Sequence, residues 1–117
     1  MLTSGGISHR TRAPFDPTAK NDLRVDDVDY RSDSRDFEVN DAYYGTRDAN
    51  EDFNVVFPIE RLRELAEKGV IGSVAERLWS GFMGHTYNRS AVIEDAAPTL
   101  VEELNKDEVD LLIPVPA

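Results

Sequence analysis

The side chains able to do chemistry in this chain are few and far apart: Ser4, His9, Arg47, Asp48 and His85, with Gly5 and Gly6 beside the first of them. Two histidines among many carboxylates invite a metal-site reading, but neither belongs to a ligand spacing such as HExxH, and no metal site is expected. Ser4 with a histidine and an aspartate makes a nucleophilic triad on paper; the GxSxG turn that would expose such a serine is missing. Arg47-Asp48 reads most simply as a local ion pair, worth on the order of 0–1 kcal/mol if exposed. Its functional alternative is an arginine that grips a substrate carboxylate through two N–H groups. Ser4-Gly5-Gly6 reads either as a plain turn or as a place where backbone approaches a ligand closely, because glycine has no Cβ. The chain has no cysteine, so it holds no disulfide, thiolate metal site or thiol nucleophile. Taken as residues alone, the set does not complete an active site.

The elements that must position these residues follow from the pattern. The best-formed unit is Tyr44–Gly72, where Asn54-Val55-Val56-Phe57 runs into Pro58, whose fixed φ and missing N–H suit the start of a helix. Ile59, Leu62, Leu65 and Ala66 recur at helical period, Glu64 and Lys68 form an i,i+4 pair, and Gly69 can take the left-handed conformation that stops a helix. A helix over 58–68 is predicted. Ser90 can cap a second helix over 91–106, with Ile93, Ala97, Leu100, Val101 and Leu104 as its buried stripe; Pro98 predicts a kink or a later start. The stretch 110–115 holds the continuous apolar run Leu111-Leu112-Ile113, the pattern of a parallel strand covered on both faces. Ser73 and Glu76 fit a capping box, which predicts a short helix through Leu78-Trp79, and Trp79, Phe82 and Met83 read as core.

At the other end, Leu2-Thr3 reads as the end of a strand that turns at Ser4-Gly5-Gly6, and Leu23-Arg24-Val25 with Val28 and Tyr30 as a short strand. The rest of 8–52 is polar and irregular, and its acid-rich part, 26–41, is expected to be a solvated loop, with aromatic bulk returning at Tyr43-Tyr44. The fold class that follows is α/β. It is one domain, or a piece of a larger one, built as a partial doubly wound, flavodoxin- or Rossmann-like parallel sheet with flanking helices and a long irregular acidic N-terminal loop.

Thirteen basic against 23 acidic residues leave a net charge of −10, which opposes nucleic acid or an anionic membrane as partner. No run of about eighteen apolar residues is present to span a bilayer. The start MLTSGGISHR lacks the basic and apolar regions of a signal peptide, so a cytoplasmic location is expected.

The stretch 46–73, TRDANEDFNVVFPIERLRELAEKGVIGS, carries more than helix signals. It resembles the segment T/H-R-D-x-x-x-D-x-N-x-V-F-P-x-x-R-L-x-E-L-x-x-x-G-x-I-G-S of the glycine/sarcosine/betaine/D-proline reductase selenoprotein B family. The likeness extends, in the family's order, to Thr3-Ser4-Gly5-Gly6 with His9, Pro14-Phe15-Asp16, Leu23-Arg24-Val25 and Phe82-Met83-Gly84, and so covers residues 2 to 115. The chain departs from the pattern in a more acidic 26–44 region and in Trp79-Ser80-Gly81 before Phe82-Met83-Gly84.

The resemblance implies an oxidoreductase of amino-acid fermentation that cleaves a C–N bond reductively in glycine, sarcosine, betaine or D-proline type substrates. It implies a selenocysteine or cysteine redox motif following the strand near 110–115, a pyruvoyl group on a partner subunit that engages the amine, and other reductase subunits or further copies of this chain as partners. It also implies a crevice bordered by Ser4, Gly5 and Gly6 and by the Pro114–Ala117 exit, with His85 as acid, Arg47 as carboxylate clamp, and His9 and Asp48 as further substrate-binding candidates. No catalytic residue is expected within the chain; the redox residue is expected after Ala117. Two explanations stand: the sequence is a fragment, or a UGA selenocysteine codon was read as a stop. The nucleotide sequence past codon 117 separates them. The other function class is a non-catalytic α/β interaction module that keeps the scaffold. A flavodoxin-like nucleotide binder is set aside, since no phosphate-binding glycine loop precedes a helix.

Overall fold

The computed structural model of the chain describes residues 1–42 and 44–117; Tyr43, read above as aromatic bulk, lies outside the described residues. Its central sheet is ordered β3-β5-β1-β6, where β1 is Leu2–Thr3, β3 Val25–Asp29, β5 Arg77–Gly81 and β6 Pro114–Val115. The strands β5, β1 and β6 run parallel, Leu2 facing Trp79 on one side and Pro114 on the other, and β3 joins β5 antiparallel. The sheet is therefore mixed rather than wholly parallel. A separate antiparallel ribbon pairs β2 (Ile7–His9) with β4 (Phe37–Val39). Two helices follow, α1 (Thr46–Glu51) and α2 (Ile59–Glu67); α3 (Arg89–Ala91) and α4 (Ala97–Lys106) lie between β5 and β6.

The helix expected over 58–68 is present as α2, capped at Pro58 and closed by Gly69 at φ +68°. The short helix expected through Leu78-Trp79 is not: residues 77–81 are the strand β5. The Ser73/Glu76 signal is local and weak, whereas an extended 77–81 pairs on both sides with β1 and β3. Alternation then sends Leu78 and Ser80 to one face of the sheet and Arg77 and Trp79 to the other. At its end Gly81 passes so close to β3 that a Cβ would sit 2.6 Å from the Arg24 carbonyl oxygen and 2.8 Å from the Val25 Cα.

Within 8–52, the short strand expected around Leu23–Val25, Val28 and Tyr30 is present as β3, while the remainder, expected to be irregular, also contains β4 and α1. An acidic strand is tolerable here because each aspartate of β3 has a cation: Arg24 for Asp26 at 2.5 Å, Arg12 for Asp27 at 3.0 Å, and Arg31 for Asp29 at 3.8 Å. In β4, Phe37 is buried, stacked on Phe53 at 5.6 Å between ring centres, and Phe53 meets Phe57 edge-on. These rings, with Ile7, Val28, Ile59 and Leu78, form the core.

The expected strand over 110–115 shrinks to Pro114–Val115, and its apolar run is not covered on both faces: Leu111 is 74% exposed. The strand sits at the sheet edge, with only β1 as neighbour, and pairing begins where Leu2 N–H donates to the Ile113 carbonyl at 3.0 Å. The helix expected over 91–106 runs from Arg89 to Lys106, capped by Asn88 rather than Ser90, and passes through a π turn at Val92–Ala96. Pro98 has no N–H to give, and the wider turn absorbs the mismatch: Ala97 N–H donates to Val92, and the Thr99 hydroxyl to the Asp95 carbonyl at 2.8 Å. One extra residue in a turn rotates the upstream face by roughly 100°. The expected buried stripe is broken: Leu100 is buried, Ile93 at the wider turn is exposed, and so is Val101 beside Leu100.

Arg77 holds this helix to the sheet, reaching Glu103 at 2.7 Å and Asp107 at 2.7 Å. Between helix and sheet remains a cavity of about 480 Å³. The close passage at Gly81 makes a direct prediction. Gly81→Ala should lower the urea unfolding free energy by about 1–3 kcal/mol by forcing β3 and β5 apart; an unchanged midpoint would show that this approach is not tight.

Candidate functional site

Because β1, β5 and β6 are parallel, their carboxyl ends lie along one edge of the sheet, the place where open α/β sheets bind ligands. Three loops leave that edge: Ser4-Gly5-Gly6 after β1, Phe82-Met83-Gly84-His85 after β5, and Pro116-Ala117 after β6. The first is held from below. Gly5 N–H donates to Thr3 Oγ1 at 3.1 Å, and Ile7 N–H donates to Ser80 Oγ at 3.1 Å. Gly6 has φ +64°, and a Cβ there would collide with the Asn40 carbonyl and come within 2.8 Å of Met83 Cε. Ser4 meets the exit of β6: its Oγ accepts from Ala117 N–H at 3.2 Å and its N–H donates to the Val115 carbonyl at 3.3 Å.

The structure thus brings Ser4, Gly5 and Gly6 together with the β6 exit and the turn after β5. In that turn Phe82 and His85 both have positive φ, at 54° and 60°, a conformation costly for residues with side chains. The His85 carbonyl accepts from Asn21 N–H at 3.0 Å, and its Nδ1 lies 2.6 Å from the Tyr87 hydroxyl. The other candidates lie elsewhere. His9 belongs to the β2–β4 ribbon, its ring edge-on to Phe37 at 5.3 Å and its Nδ1 accepting from Thr11 N–H at 3.2 Å. Arg47 and Asp48 stand in the first turn of α1, largely exposed and paired with each other at 3.4 Å. No hydrogen bond among the described residues joins either to the strand-end loops.

The edge also recruits a segment that residue types did not single out. After β4 the chain passes Gly6, with Asn40 N–H donating to the Gly6 carbonyl at 2.9 Å, and Tyr44 OH donates to the Gly5 carbonyl at 3.0 Å. Asn40 Nδ2 is buried and has no hydrogen-bond partner among the described residues. Burial raises the Asp41 carboxyl above the usual range, against the opposing pull of the Ala42 and Tyr44 N–H groups. Burial, and then the Asp41 charge, push the Tyr44 phenol up to about 12. Asn40-Asp41 looked like one more polar pair in an acidic loop. The available signal was their spacing from Phe37 and Val39, which places them at the end of an alternating stretch. Together these groups offer an amide donor, a neutral phenol and a carboxyl group inclined to hold its proton, beside a turn of exposed backbone. Such an edge can orient a small polar molecule and hold a proton near it. Among the described residues, no group of three or more His, Cys, Asp or Glu is placed to hold a metal ion.

The fold is mixed α/β, with three loops gathered at the carboxyl ends of its parallel strands. The family model for glycine/sarcosine/betaine reductase selenoprotein B matches residues 18–115, and the chain belongs to that family. It is 27% identical over 113 residues to the D-proline reductase subunit gamma of Acetoanaerobium sticklandii, an overlap of 97% of this chain and 46% of that protein. The chain spans about half the length of the curated relative it matches. No solved structure matches it.

A carboxyl group whose folded pKa is raised makes its full contribution to stability below its unfolded pKa, and that contribution falls as pH rises through the folded value. Ionised Asp41 therefore weighs against the fold near neutral pH. Asp41→Asn should raise the urea midpoint at pH 7 more than at pH 4. Parallel pH profiles for the two proteins would contradict the burial of Asp41.

Proposed function

We propose that this chain is a subunit, or part of one, of a selenoprotein B-type reductase that cleaves a C–N bond reductively in a small amino acid of the glycine, sarcosine, betaine or D-proline type. The observation that carries this is the family match across residues 18–115. A relative named as a subunit of D-proline reductase supports other reductase subunits as partners. No helix among the described residues is long and apolar enough to cross a membrane, and a cytoplasmic location goes with this proposal.

The chain's own part is to receive and orient the substrate. Ser4, Gly5 and Gly6 form the floor of the site, with the Asn40 amide and Tyr44 phenol beside them. Arg47, exposed and paired with Asp48 at 3.4 Å, is a cation able to turn to a substrate carboxylate; His85, on the turn after β5, is the proton donor, and His9 and Asp48 are outer candidates. The chain has no cysteine, so the redox selenol or thiol of the reaction comes from outside these 117 residues. A pyruvoyl group on a partner subunit supplies the carbonyl that activates the amine. The edge suits such a division of labour, since its hydroxyl, amide and backbone groups orient a substrate while no lysine or thiol there competes for the carbonyl.

The test is purification of the tagged chain from its native host, followed by assay with dithiothreitol and each of the four amino acids. The expected result is a complex containing a pyruvoyl subunit, with dithiol-dependent loss of at least one substrate, and no turnover by the isolated 117-residue chain. Turnover by the isolated chain, or a complex with no pyruvoyl subunit, would overturn the proposal.

A further inference from the structure

Among the described residues, four other than glycine have positive φ, and three of them lie in or against the turn after β5: Asn21 at 55°, Phe82 at 54° and His85 at 60°. Such conformations persist only where the surroundings enforce them, and they gather at functional sites. The register brings these residues together. β3 runs antiparallel to β5 with Val25 opposite Gly81, so the residues entering β3 lie beside those leaving β5.

Asn21 supplies the enforcement. Its N–H donates to the His85 carbonyl at 3.0 Å, and its side-chain Oδ1 accepts from Tyr87 N–H at 2.7 Å and from Asn88 N–H at 2.8 Å. One residue, far off in sequence, thus grips three peptide groups of the turn. Asparagine fits the task twice over: its short polar side chain tolerates the left-handed conformation, and its carbonyl-type oxygen has two lone pairs for two donors. What the grip sets is a pair of side chains, His85 Nδ1 lying 2.6 Å from the Tyr87 hydroxyl. Tyr87 is largely exposed, so its ring is placed by the backbone that Asn21 holds rather than by burial. At the other end of the turn the buried Met83 lies against Gly6, which ties the turn to the floor of the site.

We propose that Asn21 is the positioning residue for His85: it fixes the turn 82–88 in the shape that sets the His85–Tyr87 pair at the strand-end edge. This rests on the reading of His85 as proton donor for its effect on turnover, but not for its effect on geometry.

The chain has two histidines, and His9, in the β2–β4 ribbon, serves as the internal control. In a pH titration of the full chain followed by NMR, the Tyr87 ring signals are expected to follow protonation of the His85 imidazole. Asn21→Gly keeps the backbone conformation and gives up the two side-chain bonds. It is expected to reduce the population of the closed turn by about tenfold, uncoupling Tyr87 from His85 while His9 stays unchanged. Asn21→Asp, which keeps the acceptor oxygen, is expected to restore the coupling. In the reductase complex, Asn21→Gly should lower kcat by about tenfold with KM little changed, and Asn21→Asp should recover it. Tyr87 signals that ignore His85 in the wild type, or follow it equally in Asn21→Gly, overturn the proposal. So does a His9 change as large as that of His85, because Asn21 would then support the fold at large. A kcat lowered by His85→Gln but untouched by Asn21→Gly also overturns it. A kcat untouched by His85→Gln overturns instead the reading of His85 as donor, and the NMR coupling then still supports Asn21 as its positioning residue.

Discussion

The hydroxyl of Thr3 is the point on which the fold turns. Thr3 is completely buried, and its Oγ1 donates to the Val56 carbonyl at 2.9 Å while accepting from Gly5 N–H at 3.1 Å. Its backbone lies between Ser80 and Val115. One side chain thus joins the central strand, the approach to α2 and the glycine turn. Ser80, its neighbour in register and equally buried, does the matching task for Ile7 N–H. The turn through Gly5 and Gly6 is pinned at both ends by hydroxyls from adjacent parallel strands, and each donor left unmet there would cost on the order of 1–3 kcal/mol. The site's backbone geometry is accordingly a property of the sheet, not of the loop.

The acidic composition acquires a structural use in the same way. Asp16, Asp22, Asp29, Asp33 and Asp52 each accept, through a side-chain oxygen, the backbone N–H two residues further on, so that five successive turns are closed by carboxylates. Ser8 closes a longer reach by accepting from Phe15 N–H at 3.1 Å, which sets the buried Phe15 under the Arg24 guanidinium. A segment poor in large apolar groups is held by side-chain-to-backbone bonds of this kind, with the aromatic rings of Phe37, Phe53 and Phe57 supplying the burial.

What was legible in the residues follows from how far each signal reaches. The helix α2 was readable because Pro58, the apolar stripe and Gly69 all lie within one stretch and act locally. The strand β5 was not, because the capping-box signal at Ser73 and Glu76 is local while the pairing that extends residues 77–81 comes from residues 2–3 and 25–29. The strand β3 was readable from Leu23-Arg24-Val25, Val28 and Tyr30, but what neutralises its acids was not: the arginine that meets Asp27 is Arg12, well away in sequence. At the site, the glycines declared a close approach, but not what approaches. Asn40 and Tyr44 are delivered to Gly5 and Gly6 by the β2–β4 ribbon, a contact that no motif encodes.

Placing the middle of the sheet on Leu2 and Thr3 also sets the order in which the molecule can be built. The partners of β1 are residues 79–80 and 114–115, so its hydrogen bonds close some of the longest loops in the chain. During synthesis the ribbon, the carboxylate-closed turns and α2 can all form while β1 still waits, because their contacts lie within residues already made. The glycine turn waits with it, since Ser80 is one of its two anchors. Sheet closure and the shaping of the strand-end edge are thus one event, which follows the ribbon, the turns and α2.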